Sequence, residues 1–330
     1  MQVLPAVVDD LKTVQPGVAD DALLLAASWE ERCLGLRERL GSYSCRCVLF
    51  SVYDGSSRLR DKHIELLVPV LSSVGHLEWL PALHANPLGN VRSTISTIRR
   101  LVGCRTPRIS LDVSSYTRKH LLQLLQGLDH AGMLGSCHMF YTEPKDYHTQ
   151  DDEPLAKGIS AIEAIPTFGG SNRPSRESLL ILFLGYEGRR TLALWEHVEP
   201  HVTLAVIPDP PYREEWRGRT EAQNRYLLSC LPKENIYRTH SLIPYSTEAL
   251  LMDLACGEKY NSEKYNYRIA PFGTRAQILG IYRFWRRHAG LATIVYARPV
   301  RYREEQCTLA AGRTWLLDTT EDWPDQLEPI

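Results

Sequence analysis

Six consecutive residues, Ser114-Ser115-Tyr116-Thr117-Arg118-Lys119, carry the densest polar chemistry of the chain. They follow an apolar run ending Leu111-Asp112-Val113 and lead into a leucine-rich stretch with helical spacing. Hydroxyls that donate, amides at a helix start and two adjacent cations together suit a phosphate or another electron-rich group. Phe272-Gly273-Thr274-Arg275 repeats the threonine and the cation after a second apolar run. Ser and Thr are also ordinary helix caps, so each turn has a purely structural reading as well.

A second pair of segments joins an aromatic residue to a carboxylate and a cation. Ser28-Trp29-Glu30-Glu31-Arg32 corresponds to Gly185-Tyr186-Glu187-Gly188-Arg189. Glu30 with Arg32, and Glu187 with Arg189, fall where a helix would begin. A carboxylate there is favoured by the helix dipole, and the amides can hold an anion. The structural alternative is a cap with a local ion pair. Asp54 and Asp209 each follow the next apolar run. The first half keeps Ser28, Glu31 and Lys119 where the second has Gly185, Gly188 and Ala276. Glycines permit close backbone approach, and Glu31 adds negative charge, so an anion is expected to contact the second half more than the first.

The elements that would position these residues alternate. Strands are expected at Leu23–Ala27, Cys47–Val52, Ile109–Val113 and His138–Thr142. Helices are expected at Glu30–Leu40 with Gly41 as its stop, Arg58–Leu71 bent or cut short by Pro69, Val91–Val102, and Thr117–Leu128. Residues 166–174, rich in Pro and Gly, read as a linker. Beyond it the order repeats, with strands at Leu179–Leu184, Val202–Ile207, Tyr267–Ala270 and Thr293–Ala297. Helices are expected there at Gly188–His197, Glu215–Leu231 and Thr274–Arg287. The matched residues recur at a nearly constant distance: 157 residues from Glu30 to Glu187, 155 from Asp54 to Asp209 and 157 from Thr117 to Thr274. Tyr141-Thr142-Glu143-Pro144 with Tyr147 recurs 155 residues on, as Tyr296-Ala297-Arg298-Pro299 with Tyr302. Strand alternating with helix predicts an α/β fold with mainly parallel sheets. The repeat predicts an internal duplication into two pseudo-symmetric Rossmann-like lobes, 1–165 and 175–330, joined by 166–174. Each motif would lie beyond the carboxyl end of a strand, where open parallel sheets bind ligands.

A strand, a small polar turn and a Thr-cation pair opening a helix resemble the ligand-binding turn of CRISPR-associated Rossmann-fold (CARF) domains. Those domains sense cyclic oligonucleotides, usually across the twofold axis of a homodimer. The family's turn is glycine-rich, whereas Ser115 and Tyr116 fill it in the first half and Pro271 precedes it in the second. The resemblance implies that Ser114, Thr117, Arg118, Gly273, Thr274 and Arg275 contact a ligand. It also implies that duplication builds within one chain the two-lobed site that the family makes by dimerising, and a setting in antiviral defence.

Composition narrows the rest. The chain has 330 residues, 44% hydrophobic and 23% charged, with a net charge of −1. Those values fit about two folded domains and exclude a disordered, collagen-like or coiled-coil protein. No run approaches the roughly 18 apolar residues of a membrane span, and the first segment lacks the basic start of a signal peptide, so the expected compartment is the cytoplasm. Eight cysteines without a C-x-x-C pair read as reduced, buried residues, and no metal or cofactor site is expected. The patterns of P-loop ATPases, zinc proteases, α/β-hydrolases and dinucleotide-binding folds are missing. Residues 264–303 hold nine Lys or Arg and no acid, and 314–330 hold five acids and no base. Either the acidic tail covers the basic segment, or the basic segment serves an anionic ligand.

Three functions follow as expectations. The leading one is a non-catalytic sensor or adaptor that binds a nucleotide-type anion in the cleft between two lobes and acts through a separate effector subunit. The second is an enzyme on a nucleotide or nucleic acid, with Glu30, Glu187, Asp54 or Asp209 as acid, base or Mg²⁺ ligand. The third is a structural subunit that docks 264–303 on nucleic acid or an acidic partner.

Overall fold

The run Asp20–Ala26 is buried at every residue, as a strand inside a parallel sheet must be when helices cover both of its faces. The computed structural model describes residues 4–14, 20–103, 106–147, 156–304 and 308–317. In chain order the strands are β1 (Ala6–Val7), β2 (Asp20–Ala26), β3 (Cys45–Tyr53), β4 (His76–Ala82), β5 (Ile109–Asp112), β6 (Cys137–Asp146), β7 (Ala156–Ala164), β8 (Glu177–Phe183), β9 (Val202–Pro208), β10 (Ile236–Thr239), β11 (Tyr265–Pro271), β12 (Ala292–Tyr302) and β13 (Leu309–Leu317). The helices are α1 (Leu11–Val14), α2 (Arg58–Val74), α3 (Pro87–Val102), α4 (Arg118–His130), α5 (Gly188–Val198), α6 (Arg219–Gln223), α7 (Arg225–Ser229), α8 (Pro244–Cys256) and α9 (Arg275–Arg287). Cys104, Cys307 and the five acids of the tail lie outside the described residues. Among those described, no helix is long and apolar enough to cross a membrane.

Two sheets result, ordered β1-β13-β6-β5-β2-β3-β4 and β10-β9-β8-β11-β12-β7. In the first, β4 with β3, β3 with β2, β2 with β5 and β5 with β6 are parallel. In the second, β10 with β9, β9 with β8, β8 with β11 and β11 with β12 are parallel. Starting from β4 and from β10, the two orders are the same. β2 therefore corresponds to β8, β5 to β11 and β6 to β12, as a duplicated α/β unit requires. Helix α4 shows how the first sheet is covered, for Leu121, Leu122, Leu124, Leu125 and Leu128 are all fully buried. A second face is packed by Cys33, Leu36, Leu67 and Leu71 against Leu23, Leu25, Val48 and Phe50.

The division of the chain differs from lobes at 1–165 and 175–330 with a linker at 166–174. β7 follows β6 in sequence but pairs antiparallel with β12 in the second sheet. β13 follows β12 but pairs antiparallel with β6 in the first. One compact unit spans Pro5–Asp151 with Glu304–Trp323, and the other is built on Asp152–Arg303. Each sheet thus takes its antiparallel strand from the other half of the sequence, an exchange that strand–helix alternation does not reveal.

Three expected helices also differ. Glu30–Leu40 is no regular helix: a 3₁₀ turn covers Glu31–Leu34. There the chain turns Arg32 inward, and Gly35 lies so close to Thr142 that a Cβ would stand 2.3 Å from its Cγ2. Pro69 does not end α2, which runs on to Val74. Pro69 is exposed, so the carbonyl it leaves without an amide donor can be hydrated. Glu215–Leu231 breaks into a 3₁₀ turn, α6 and α7, because Gly218 adopts a left-handed conformation with φ 82°.

A fragment ending at residue 165 retains β7 but lacks β13, leaving β6 as an open edge that recruits other chains. That fragment should aggregate or melt without cooperativity when expressed alone. Co-expression with 166–330 should give a soluble complex on size exclusion. A monomeric 1–165 with a cooperative melt would contradict the strand exchange.

Candidate functional site

The strand order reverses between β2 and β5 in the first sheet and between β8 and β11 in the second, and open parallel sheets bind ligands beyond the carboxyl ends of the strands at such a point. Glu30 follows β2 and Glu187 follows β8, so the matched carboxylates occupy equivalent positions. Arg32 Nε donates to Glu30 Oε2 at 2.8 Å, and its Nη2 donates to the same oxygen. Burial pulls the Arg32 guanidinium down, yet Glu30, Tyr141 and Tyr147 outweigh it and hold the guanidinium above its ordinary value.

In the second lobe Glu187 pairs with Arg190. Arg190 Nη1 donates to Glu187 Oε2 at 2.5 Å, while Nε and Nη2 donate to the Ala297 carbonyl at 3.1 and 2.5 Å. The guanidinium lies over the rings of Tyr296, Phe272 and Tyr302 at 5.0, 5.3 and 5.8 Å. Arg189 is exposed. Tyr141 and Tyr147 in the first lobe, and Tyr296 and Tyr302 in the second, complete the same cluster of carboxylate, buried arginine and two tyrosines. Their matched spacing was the signal for these residues, but it named Arg189 where the pairing cation is Arg190, one position later. Removing one partner of such a buried pair costs about 3–5 kcal/mol by leaving the other charge uncompensated, and each intact cluster carries little net charge.

Gly185 and Gly188 admit backbone, but it is the chain's own. A Cβ on Gly185 would stand 2.1 Å from the Phe272 carbonyl oxygen, and one on Gly188 1.9 Å from that of Gln223. Asn224 Nδ2 also donates to the Gly185 carbonyl at 2.9 Å.

Asp54 and Asp209 follow β3 and β9 and are not gathered with the glutamates by any contact. Asp54 Oδ1 accepts the His84 amide at 2.9 Å. Asp209 Oδ1 accepts from Arg217 Nη1 at 2.8 Å. Among the described residues, no three His, Cys, Asp or Glu side chains are grouped to hold a metal ion.

The turns after β5 and β11 diverge. At α9, Thr274 Oγ1 accepts the Gln277 amide at 3.2 Å while Gln277 Oε1 accepts the Thr274 amide at 2.8 Å, a reciprocal cap. Thr274 Oγ1 donates to the Ser241 carbonyl at 2.7 Å. Gly273 is required by this cap, since a Cβ there would meet Gln277 Oε1 at 2.0 Å. Arg275 is buried at the helix start. The basic segment around it is dispersed over β11, α9 and β12. Two of its cations, Arg283 and Arg287, converge on the buried Glu248.

At α4 the bonds run to other partners. Ser114 is fully buried and committed to the fold: its amide donates to Asp112 Oδ1 at 2.9 Å, its hydroxyl donates to the same oxygen, and the Thr142 amide donates to Ser114 Oγ at 2.8 Å. Thr117 Oγ1 caps the helix by accepting the His120 amide at 3.3 Å. Arg118 and Lys119 form the first turn. Ser115 Oγ and His120 Nε2, both buried, have no hydrogen-bond partner among the described residues. His120 Nδ1 lies 2.8 Å from Tyr53 OH, which also accepts the Thr117 amide at 3.1 Å. Tyr53 stacks on His84, with ring centroids 4.5 Å apart. Burial, with a smaller effect of His84, lowers the His120 pKa to about 3. Nothing in the sequence distinguished His120 from an ordinary helix residue, although its place three residues after Thr117 put it on the capped turn.

No protein-family model matches the chain, and no curated protein matches it. Among solved structures, a functionally unknown protein from Pseudomonas aeruginosa PAO1 is similar at 9% identity, over 85% of this chain and 93% of that one, with a TM-score of 0.26. A putative universal stress protein from Pseudomonas aeruginosa UCBPP-PA14 is similar at 9% identity, over 85% and 94%, with a TM-score of 0.26. The cytoplasmic domain of a prokaryotic cation chloride cotransporter is similar at 10% identity, over 87% and 99%, with a TM-score of 0.28. At such scores none of the three bears on the architecture, which rests on the strand order itself.

His120 couples this site to stability. Folded, it stays neutral to about pH 3, whereas its ordinary pKa is 6.5. Between those values the unfolded chain binds the extra proton, so stability falls as pH falls, by up to about 1.4 kcal/mol per pH unit. His120→Gln should therefore lose less stability than the parent between about pH 7 and about pH 5 in urea melts. Equal losses would show that His120 carries no such coupling.

Proposed function

We propose that this protein is a non-catalytic sensor or adaptor that binds a nucleotide-type anion at the opening of α4 and acts through a separate partner protein. The observation that carries this reading is Ser115 Oγ, a buried hydroxyl without a hydrogen-bond partner among the described residues, in the turn before the amides of a 13-residue helix. An unsatisfied buried hydroxyl costs about 1–3 kcal/mol, and an incoming oxygen acceptor removes that cost. Arg118 and Lys119, adjacent in the first turn, supply positive charge. The corresponding α9 turn has Phe272 in the place of Ser115 and Ala276 in the place of Lys119, which favours the first lobe over the second, the reverse of the ranking expected from glycine content. A role in antiviral defence follows from the resemblance to CARF domains alone.

Native mass spectrometry of the purified protein tests the reading by seeking a retained nucleotide, which calorimetry then measures. Arg118→Ala should weaken binding by roughly tenfold or more, since a hydrogen bond to a charged group contributes about 1.5–3 kcal/mol. Affinity should also fall with added salt. Arg275→Ala should leave affinity within about twofold, within the few tenths of a kcal/mol expected where no contact is lost. Equal losses in both variants, or none in Arg118→Ala, would overturn the assignment to α4.

A further inference from the structure

His120 is buried in the first turn of α4, at 1% exposure, and its ring is held from one side only. The Thr117 amide donates to Tyr53 OH at 3.1 Å, so the phenol oxygen already acts as an acceptor. Its own proton can then point at His120 Nδ1, 2.8 Å away. A neutral imidazole has one donor and one acceptor nitrogen, so an accepting Nδ1 puts the ring proton on Nε2. The ring packs edge-on to Tyr53 and to Tyr116, with centroids 5.7 and 5.1 Å apart, and Tyr116 belongs to the turn itself. Nε2 is buried and has no hydrogen-bond partner among the described residues.

We propose that His120 is a ligand contact, fixed by Tyr53 as a neutral Nε2–H donor, and that the atom it meets is an oxygen acceptor of a phosphodiester. This rests on the reading of the α4 turn as an anion site and adds which atom of the ligand is recognised. A neutral donor beside a serine hydroxyl and helix amides matches a group that offers only acceptors, and it excludes an amino group at this position. Tyr53 is a positioning residue, acting through the tautomer of His120. Its own contact with the ligand is not required.

Nitrogen-15 NMR of the imidazole in the full chain tests this directly. The ligand-free protein should show His120 protonated at Nε2, and Tyr53→Phe, which keeps the stacked ring, should show a mixture of tautomers. Titration with inorganic phosphate and with a dinucleotide phosphodiester should shift the Nε2 resonance of His120 in step with calorimetric binding. Tyr53→Phe should weaken the dinucleotide roughly tenfold, as the loss of one well-oriented buried hydrogen bond does, with an unchanged fold checked by melting. A proton found on Nδ1, or an unmoved His120 when calorimetry registers a bound anion, would overturn this inference while leaving the anion site standing. Binding of neither probe would overturn both.

Discussion

A parallel sheet cannot end on an open strand without presenting unpaired amides and carbonyls, and this chain closes β6 and β12 by exchange. β13 pairs antiparallel with β6, and β7 pairs antiparallel with β12. Neither sheet is complete until the sequence of the other half has been made. The remaining parallel strands take their places from these closed edges, and their carboxyl ends carry all four matched motifs. The exchange also means that the duplicated units are not consecutive blocks of sequence. Long-range pairing of this kind costs loop-closure entropy before it is rewarded.

Within that frame the two lobes share one device and differ in another. The shared device is a buried arginine fastened to a glutamate beside two tyrosines, Arg32 with Glu30 and Arg190 with Glu187. Desolvation alone would disfavour both guanidinium groups, and the neighbouring acid and phenol oxygens reverse this. Such pairs hold the first strand end rigidly and leave little charge to offer a ligand. The difference lies at the third turn. Thr274 and Gln277 cap α9 reciprocally, whereas the Thr117 cap of α4 stands beside Ser115 Oγ and His120 Nε2, which are buried without a hydrogen-bond partner among the described residues. Duplicated scaffolds commonly retain structural contacts in both copies while a site persists in one, because packing constrains every copy and binding constrains only the copy in use.

Much of the fold was legible from alternation. β2, β3, β5, β8, β9 and β11 are apolar runs bounded by turn residues, and α3, α4, α5 and α9 show helical periodicity. The strands that escaped are half-exposed or interrupted: β4 contains Pro81, and β7 alternates polar and apolar residues without a long apolar run. β13 was hidden because its partner lies more than 160 residues earlier in the chain. The site was legible in type and less so in detail. Glu30, Arg32, Glu187 and the Thr-cation turns were visible as repeats, but a spacing of two residues named Arg189 where the helix of α5 brings Arg190 inward. Ser114 and Thr274 have the residue types of an anion site, yet their hydroxyls serve Asp112 and Gln277. Only geometry separates a hydroxyl spent on a cap from one left for a ligand.

The central claim is that the α4 turn, and not its α9 counterpart, receives the anion. Hydrogen exchange read by mass spectrometry, with and without a saturating nucleotide-type anion, measures both turns in one sample. Slower exchange over residues 114–121, with residues 272–279 unchanged, is the predicted result. Slowing confined to 272–279, or absent from both segments while the anion is bound, would contradict the account.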